Sequence, residues 1–172
     1  MGMRVLVLGA GGREHAIVRS LVRSSRVDAV LVTPGNGGTA SEPKAQNVVI
    51  SSYSPESVAD FAREREIDLV VIGPEAPLVA GVDDAVREAG VACFGPGATG
   101  ALIEGSKAFA KDLMARHEIP TARARSFSAS ERGEALLTLE EWGAPVVVKA
   151  DGLAAGKGVT VATDIDTAQA AI

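Results

Sequence analysis

The chain opens with an apolar run that ends in a cluster of glycines, and this feature restricts the fold more than any other. Arg4 to Leu8 is the apolar run, Gly9-Ala10-Gly11-Gly12 follows it, and a helical pattern then places Ile17 and Leu21 on one face. A buried strand, a glycine turn and a helix in this order predict the first unit of a doubly wound parallel α/β sheet. The start of such a helix can bind an anion.

The glycine turn departs from the pattern that binds a dinucleotide. After Gly9 and Gly11 the third glycine of that pattern should stand at position 14, where the chain has Glu14. The predicted second strand, Val27 to Thr33, is followed by Pro34-Gly35-Asn36 rather than by an acid that would hold an adenosine ribose. The sequence therefore predicts a phosphate site here and not an NAD site.

Charged side chains follow two of the predicted strands. Arg13 is expected to pair with phosphate, or alternatively to form a surface salt bridge. Glu14 lies in the turn after the first strand, so we expect it to face the ligand crevice and to contact hydroxyls or an amine. Glu75 follows the strand Asp68 to Ile72 and has two interpretations: a second substrate carboxylate, or an acid that complements the dipole of a predicted helix from Pro77 to Ala89.

Other elements follow from the apolar periodicity and from capping residues. Further strands are predicted at Val48 to Ile50, Val91 to Phe94 and Ala122 to Phe127, a loop at Gly35 to Gln46, helices starting at Ser54 and Ser106, a capping box from Ser128 to Glu131, and a last helix from Asp164. The glycine-rich stretch Gly95 to Gly105 predicts a domain boundary. We thus expect a Rossmann-like domain at 1–100, a linker and helix at 101–121, and the beginning of a second domain at 122–172.

The stretch from Val146 to Val161, VVVKADGLAAGKGVTV, carries the most specific chemistry. It predicts a strand, a flexible loop and a second strand, a hairpin that covers the phosphates of a nucleotide. Glycines let the loop backbone approach phosphate, while Lys149 and Lys157 supply positive charge. The spacing differs from a Walker A loop, because three residues separate Gly152 from Gly156 and a glycine follows the second lysine. A mobile hairpin with a solvated lysine is the alternative.

Two lysines influence that interpretation. Lys149 follows three valines, and a lysine inside an apolar strand is costly unless it meets an opposite charge. Lys107 lies in the first turn of the helix that Ser106 caps, where a positive charge opposes the helix dipole. We therefore expect both to serve a ligand, and a solvated side chain is the alternative for Lys107.

Composition excludes several classes of function. The net charge is -5, aromatic residues are 3% of the chain, and 47% of the residues are hydrophobic. A general nucleic-acid binder or membrane-surface binder is not expected from this charge. The single cysteine, Cys93, lies in an apolar stretch and is predicted to be a buried, inert thiol in a reducing compartment. No apolar segment approaches membrane-spanning length, so a cytoplasmic protein is expected.

Several motifs together resemble the glycinamide ribonucleotide synthetase (phosphoribosylamine glycine ligase) family of ATP-grasp enzymes. They are Gly9 to His15, Pro34 to Asn36, Gly73 to Leu78, Glu104 to Lys107, and Lys149 to Val159 with its AAGKG core. The resemblance runs in order from the first strand to the last residue. It implies a pre-ATP-grasp domain followed by an incomplete α+β lid subdomain.

The resemblance also implies an activity and its ligands. ATP would phosphorylate glycine, and the amine of 5-phosphoribosylamine would then attack the acyl phosphate, with Mg²⁺ required. Residues implied to contact ATP are Lys107, Lys149, Asp151, Gly152, Gly156, Lys157 and Gly158, with Gly152 to Val159 as the closing loop. Residues implied to hold phosphoribosylamine are Gly11, Gly12, Arg13, Glu14, Asn36 and Glu75. A monomer without nucleic-acid or membrane partners is expected.

The family's magnesium ligands, its adenine-binding hinge and most of its glycine pocket lie beyond position 172. The resemblance therefore implies an amino-terminal portion that does not catalyse the ligation alone. Three rivals stay open: another ATP-grasp ligase, which glycine dependence would separate; a nicotinamide oxidoreductase, which NAD binding would reveal; and a noncatalytic sugar-phosphate or nucleotide-binding module.

Overall fold

The computed structural model describes residues 2–154 and 157–172. The chain divides into two compact units, Met1–Gly105 and Ser106–Ile172. Each unit has its own sheet, and each is described by itself below.

The first unit is built on a five-stranded parallel sheet. Its strands are β1 (Met3–Gly9), β2 (Val27–Pro34), β3 (Ala45–Asn47), β4 (Leu69–Ile72) and β5 (Ala92–Phe94). Their order is β3-β2-β1-β4-β5, and every neighbouring pair is parallel. The order reverses between β1 and β4, as it does in doubly wound sheets. The predicted α/β doubly wound fold is confirmed.

Helices cover both faces of this sheet. They are α1 (Gly12–Leu21), α2 (Gly37–Ala40), α3 (Pro55–Glu64), α4 (Glu75–Val79), α5 (Val82–Glu88) and α6 (Ala98–Gly105). Alternate residues of β1 point to opposite faces, so Val5 and Val7 pack with Val18 of α1, while Leu6 and Leu8 join a separate cluster. Burial on both faces explains why the central strands are continuous apolar runs.

The third strand differs from its prediction. The strand comprises the polar stretch Ala45–Asn47 and not Val48 to Ile50, and the predicted loop from Gly35 to Gln46 contains α2. Because β3 lies at the sheet edge, its pairing with β2 needs no apolar side chains of its own. Ile50 is instead buried in the larger cluster beyond the end of the strand.

One helical prediction in this unit also needs correction. The single helix expected from Pro77 to Ala89 is broken into α4 and α5, because Gly81 has a left-handed backbone with φ of 91°. The glycine-rich stretch Gly95 to Gly105 contains α6, whose Ala101 is buried in the core, and the first compact unit ends at Gly105. The predicted division of the chain into domains stays a prediction. Cys93 of β5 is buried as predicted, and burial together with Asp83 raises the pKa of its thiol to about 12.

The described part of the second unit combines three α-helices with a hairpin. Its elements are α7 (Lys107–Arg116), a 3₁₀ turn (Ala129–Glu131), α8 (Arg132–Trp142), β6 (Val146–Lys149), β7 (Val159–Ala162) and α9 (Ile165–Ala171). The strands β6 and β7 are antiparallel, with Val146 opposite Ala162 and Lys149 opposite Val159. The predicted hairpin is confirmed.

The predicted strand from Ala122 to Phe127 does not form. The second sheet has two strands within the described residues, and this segment pairs with neither. Apolar alternation alone cannot make a strand without a partner for its backbone groups. The predicted capping box is confirmed, since Ser128 N–H donates to Glu131 at 2.7 Å. In the described parts of both units, no helix combines the length and apolar character needed to span a membrane.

Candidate functional site

The turn between β1 and α1 is shaped by the carboxylate of Glu14. Gly11 is the N-cap residue of α1, and its backbone N–H donates to Glu14 Oε2 at 2.7 Å. The other oxygen, Oε1, accepts from Arg13 Nε at 2.9 Å. The space where a Gly12 Cβ would lie is open. The carboxylate therefore holds the turn from its buried side and leaves the Gly12 backbone accessible.

Glu14 is buried among glycines at the end of β1 and in the turns that follow β1 and β4. The residue is 4% exposed, and its side chain occupies the space where Cβ atoms of Gly9, Gly11 and Gly73 would lie. Burial alone would raise the pKa of Glu14, but the Arg13 hydrogen bond and the Gly11 N–H outweigh it and the net pKa is lowered. Glu14 is an ionised carboxylate held by protein groups. Contact with a substrate stays a prediction.

Arg13 forms the salt bridge that the sequence offered as its alternative role. Its side chain is 60% exposed, and only Nε is engaged, by Glu14, among the side-chain hydrogen bonds of the described residues. The hydrogen bond to Glu14 contributes most to a raised pKa, and the negative charges of Glu75 and Glu104 add to it. The arrangement leaves the outer edge of the guanidinium toward solvent. Phosphate binding by Arg13 stays a prediction.

Glu75 begins α4, with Gly73 and Pro74 between it and the end of β4. It is the first residue of that short helix, with Pro74 as N-cap, and it is partly buried. Because β1 and β4 are neighbours, Glu75 lies at the same edge of the sheet as Arg13, and the two charges interact. This edge is the point where strand order reverses, where ligands of doubly wound sheets bind. The helix-start position is observed, and the substrate role stays a prediction.

The turn after β2 is tied to the glycine turn by Asn36. Its Oδ1 accepts from the N–H groups of Gly38 and Thr39 at 2.8 and 3.0 Å, so it caps α2. Its Nδ2 donates to Ala10 O at 2.9 Å. The predicted residues of the two turns are thus brought together by a direct hydrogen bond, and Asn36 is largely committed to protein contacts.

Two residues that sequence reasoning missed complete this turn. Thr39 is fully buried, and its hydroxyl accepts from Asn36 N–H at 2.8 Å and lies 2.7 Å from Asn47 Oδ1. Asn47 Nδ2 donates to Asn36 O at 2.9 Å. The only sequence signal for Asn47 was the polar character of the stretch that forms β3. His15 adds a further link across these turns, with Nε2 3.0 Å from Glu42 Oε1.

In the second unit, Asp151 of the hairpin loop caps α7. Its Oδ1 accepts from Lys107 N–H at 2.6 Å and from Ala108 N–H at 3.3 Å, and its Oδ2 accepts from Ser106 Oγ at 3.0 Å. Burial would raise the pKa of Asp151, but these donors outweigh it and the net pKa is lowered. Lys107 Nζ in turn donates to Gly152 O at 2.9 Å. Lys107 is therefore tied to the loop rather than solvated.

The two lysines beside the hairpin loop, Lys149 and Lys157, are open to solvent. Lys149 is the last residue of β6 and is exposed, so the expected cost of a lysine inside an apolar strand does not arise. Lys157 is exposed just before β7, and Gly152 and Gly158 have φ of 90° and 77°, which favour glycine. Gly156 lies outside the described residues. Both lysines are accessible to an anion.

A cleft of about 630 Å³ lies beside this hairpin within the second unit. Its lining combines apolar side chains of α8, including Leu139 and Trp142, with Lys149, Asp151 and Gly158 of the hairpin. Arg125 and Arg132 also line it. An apolar wall beside several cations suits a ligand with a flat apolar part and an anionic part. Across residues 2–154 and 157–172, no group of three His, Cys, Asp or Glu side chains could hold a metal ion.

Two family models match the chain end to end. The model described as phosphoribosylglycinamide synthetase, N domain, matches residues 3–104. The model of the ATP-grasp (A) domain of the same synthetase matches residues 105–172.

Curated relatives agree with these models. Proteins named phosphoribosylamine–glycine ligase from Pseudomonas putida and Escherichia coli K12 are each 54% identical over 170 residues, and one from Pseudomonas aeruginosa is 55% identical. The alignments cover 99% of this chain and 39% of each relative. The chain thus spans about two fifths of the length of these relatives.

Solved structures share the fold at low identity. A biotin carboxylase domain of Hydrogenobacter thermophilus 2-oxoglutarate carboxylase has a TM-score of 0.74 at 20% identity, over 97% of this chain and 39% of that one. N5-carboxyaminoimidazole synthase from Aspergillus clavatus, solved with ADP and 5-aminoimidazole ribonucleotide, has a TM-score of 0.66 at 20% identity, over 99% and 43%. With both family models matched in order, the chain belongs to the phosphoribosylglycinamide synthetase family.

Proposed function

We propose that this chain contributes the sugar-phosphate site and the phosphate-covering hairpin of an ATP-dependent ligase that joins glycine to 5-phosphoribosylamine. The observation that carries the proposal is the 54–55% identity over 99% of the chain to proteins named phosphoribosylamine–glycine ligase. The products would be glycinamide ribonucleotide, ADP and phosphate. In the proposed reaction ATP phosphorylates the glycine carboxylate, and the amine attacks the acyl carbon as phosphate leaves.

The first unit supplies the proposed site for phosphoribosylamine. Two turns meet at the edge of the sheet where the strand order reverses. The Gly12 backbone and the outer edge of the Arg13 guanidinium are accessible there, and these observations support the proposal. Backbone N–H groups and a guanidinium are the donors that phosphate takes in such turns. Glu75 is the carboxylate proposed to face the amine or hydroxyls of the sugar. Glu14 is proposed to act indirectly, because its carboxylate accepts hydrogen bonds from Arg13 and from the Gly11 backbone N–H.

The second unit supplies the proposed ATP contacts. Lys149 and Lys157 are exposed at the two ends of the hairpin loop, and the cleft beside it joins cations to an apolar wall. Positive charge there would neutralise the phosphates, and catalysis by such a ligase is largely positioning and charge neutralisation. Mg²⁺ would stabilise the transferring phosphoryl group. The described residues offer no cluster to hold it, so no step is assigned to a metal on this chain.

The sugar-phosphate part is tested by calorimetric titration of the 172-residue chain with ribose 5-phosphate, a stable analogue of phosphoribosylamine. We expect binding that Arg13→Ala abolishes and Arg19→Ala, an exposed arginine on the same helix, leaves unchanged. NAD is titrated in parallel and should give no signal. NAD binding without a ribose 5-phosphate signal would instead favour a nicotinamide enzyme.

The nucleotide part is tested by titration with ATP. Lys149→Ala should weaken ATP binding at least tenfold, because an exposed cation facing phosphate is lost. Arg116→Ala, an exposed cation at the end of α7, is the matched control and should have no effect. Equal ATP affinity in the parent and in Lys149→Ala would remove the nucleotide role of the hairpin. In a protein carrying this chain with the rest of the synthetase, glycine-dependent ADP production separates this ligase from other ATP-grasp enzymes.

A further inference from the structure

Behind Asn36 lies a set of buried polar contacts that the proposed reaction does not itself require. We propose that Asn47, acting with Thr39, is a positioning residue that fixes the Asn36 turn in its ligand-binding conformation. This inference rests on the proposed sugar-phosphate site, and it assigns a role to two residues that touch no ligand.

Every polar group of Asn36 is held from within the protein. Its backbone carbonyl accepts from Asn47 Nδ2 at 2.9 Å, and its backbone N–H donates to Thr39 Oγ1 at 2.8 Å. Its side chain caps α2 and reaches Ala10 O. Gly35, with φ of 68°, leaves the space that the Asn47 amide fills. The observed conformation of the turn satisfies all of these groups at once.

The hydrogen bonds made at position 47 require a neutral amide side chain. The amide must donate to Asn36 O and accept from the Thr39 hydroxyl, which lies 2.7 Å from Oδ1. The Thr39 hydroxyl has one proton, and Asn36 O at 2.9 Å competes for it. A carboxylate at position 47 would face the Asn36 carbonyl oxygen with no proton to donate. Because Thr39 is fully buried, a lost partner there cannot be replaced by bulk water.

The position of Asn47 argues for a role in the turn rather than in the core. It ends the edge strand β3, and it belongs to none of the buried apolar clusters of the described chain. Its contacts lead through Asn36 to Ala10, which joins the turn after β2 to the glycine turn after β1. A ligand that touches both turns needs them at a fixed separation, and a misplacement of about 1 Å is costly to such a site.

The test compares two identical charge changes on adjacent residues of one strand. Asn47→Asp should weaken ribose 5-phosphate binding roughly tenfold or more, since the turn loses one hydrogen bond and gains a repulsion. Gln46→Asp, an exposed neighbour, should bind within twofold of the parent. Thr39→Val should weaken binding as Asn47→Asp does, while Thr39→Ser, which keeps the hydroxyl, should restore it. Thermal unfolding is recorded for each variant.

A double substitution shows whether Asn47 acts through Asn36. Asn36→Ala keeps the backbone carbonyl that Asn47 contacts and removes the side chain that this contact positions. Asn47→Asp should therefore have little further effect on affinity when Asn36 is already alanine, and a full additional loss would contradict the inference. Parent-like affinity in folded Asn47→Asp and Thr39→Val overturns the inference while the proposed function stands. Equal losses of affinity and thermal stability in Thr39→Val and Thr39→Ser would also overturn it, since they indicate a purely structural role. Absence of ribose 5-phosphate binding by the parent overturns the proposed site and this inference together.

Discussion

The two units of the chain differ most in how much side chain they bury. In the first, helices cover both faces of the sheet, and two extended clusters of apolar side chains are buried. In the second, the buried cluster is formed by Leu139, Ala162 and Ala168. Because hydrophobic stabilisation scales with the apolar area removed from water, the first unit can hold its turns rigidly. The second depends more on single capping contacts such as that of Asp151.

The most severe test of this comparison is Leu139→Ala. Truncation of a buried leucine costs about 2–5 kcal/mol, a large fraction of what so small a core supplies. We expect the second unit to lose its folded state, seen as an early denaturant transition of Trp142 fluorescence, the single tryptophan of the chain. Leu137→Ala, 65% exposed on the same helix, should unfold like the parent. Coincident transitions for both variants would show that this cluster does not hold the unit together.

The second test removes the buried charge of the first unit. Glu14→Gln should cost about 1–3 kcal/mol, because a buried hydrogen-bonded carboxylate is lost beside Arg13. Faster hydrogen exchange at the Gly11 amide should accompany the loss, with the rest of the sheet protected. Glu64→Gln, an exposed acid on α3, is the control. Unchanged Gly11 exchange would mean that the carboxylate does not fix the turn.

The same carboxylate gives the first unit an acid dependence. Since the folded pKa of Glu14 is lowered, its stabilisation is fully present above the ordinary glutamate pKa of about 4.3 and is lost as pH falls through the folded value. The difference in unfolding free energy between parent and Glu14→Gln should shrink over that range. A constant difference down to low pH would contradict the lowered pKa.

A smaller effect is expected at the cap of α7. Asp151→Ala should cost about 0.5–2 kcal/mol, the usual range for a lost helix cap. The amides of Lys107 and Ala108 should exchange faster, because both donate to Asp151. Glu140→Ala, exposed on α8, should leave their exchange unchanged.

The smallest effects are expected for exposed ion pairs, which should contribute little to the stability of either unit. The exposed pairs Arg63–Asp60 and Arg116–Asp112 lie one in each unit. Replacing either arginine by alanine should cost about 0.5 kcal/mol or less, since exposed pairs gain little in water. Equal small losses in both units, measured by denaturant unfolding, would show that burial rather than surface charge separates them. A large loss in one unit alone would weaken that conclusion.

The first unit was largely predictable because its strands are buried on both faces. Runs such as Val5 to Leu8 leave little choice between strand and helix once a glycine turn follows them. The wrong predictions lie where an interaction other than apolar patterning determines the structure. Gly81 breaks a periodic helix, and β3 pairs through polar residues at the sheet edge. In the second unit, the alternation of Ala122 to Phe127 could not reveal that no strand pairs with it.

The candidate site was predictable only in part, and for a related reason. The glycine turn and the hairpin of β6 and β7 are local motifs, so Arg13 and Lys149 could be singled out from their neighbours in sequence. The contacts of Asn47 with Asn36 and of Asp151 with α7 join different elements, at separations of 11 and 44 positions in the chain. Such contacts depend on how elements fold onto each other, and no local pattern encodes them.

Glu14 also limits which amino-acid changes the chain can accept together. Its side chain fills the space that a methyl group at Gly11 or Gly73 would need. While a glutamate stands at position 14, alanine at either glycine meets a steric exclusion unless that side chain moves, although neither glycine has a left-handed backbone. A smaller residue at position 14 would release that exclusion at both places. We therefore expect substitutions at these three positions to be coupled, so that a paired change is tolerated where each single change is not.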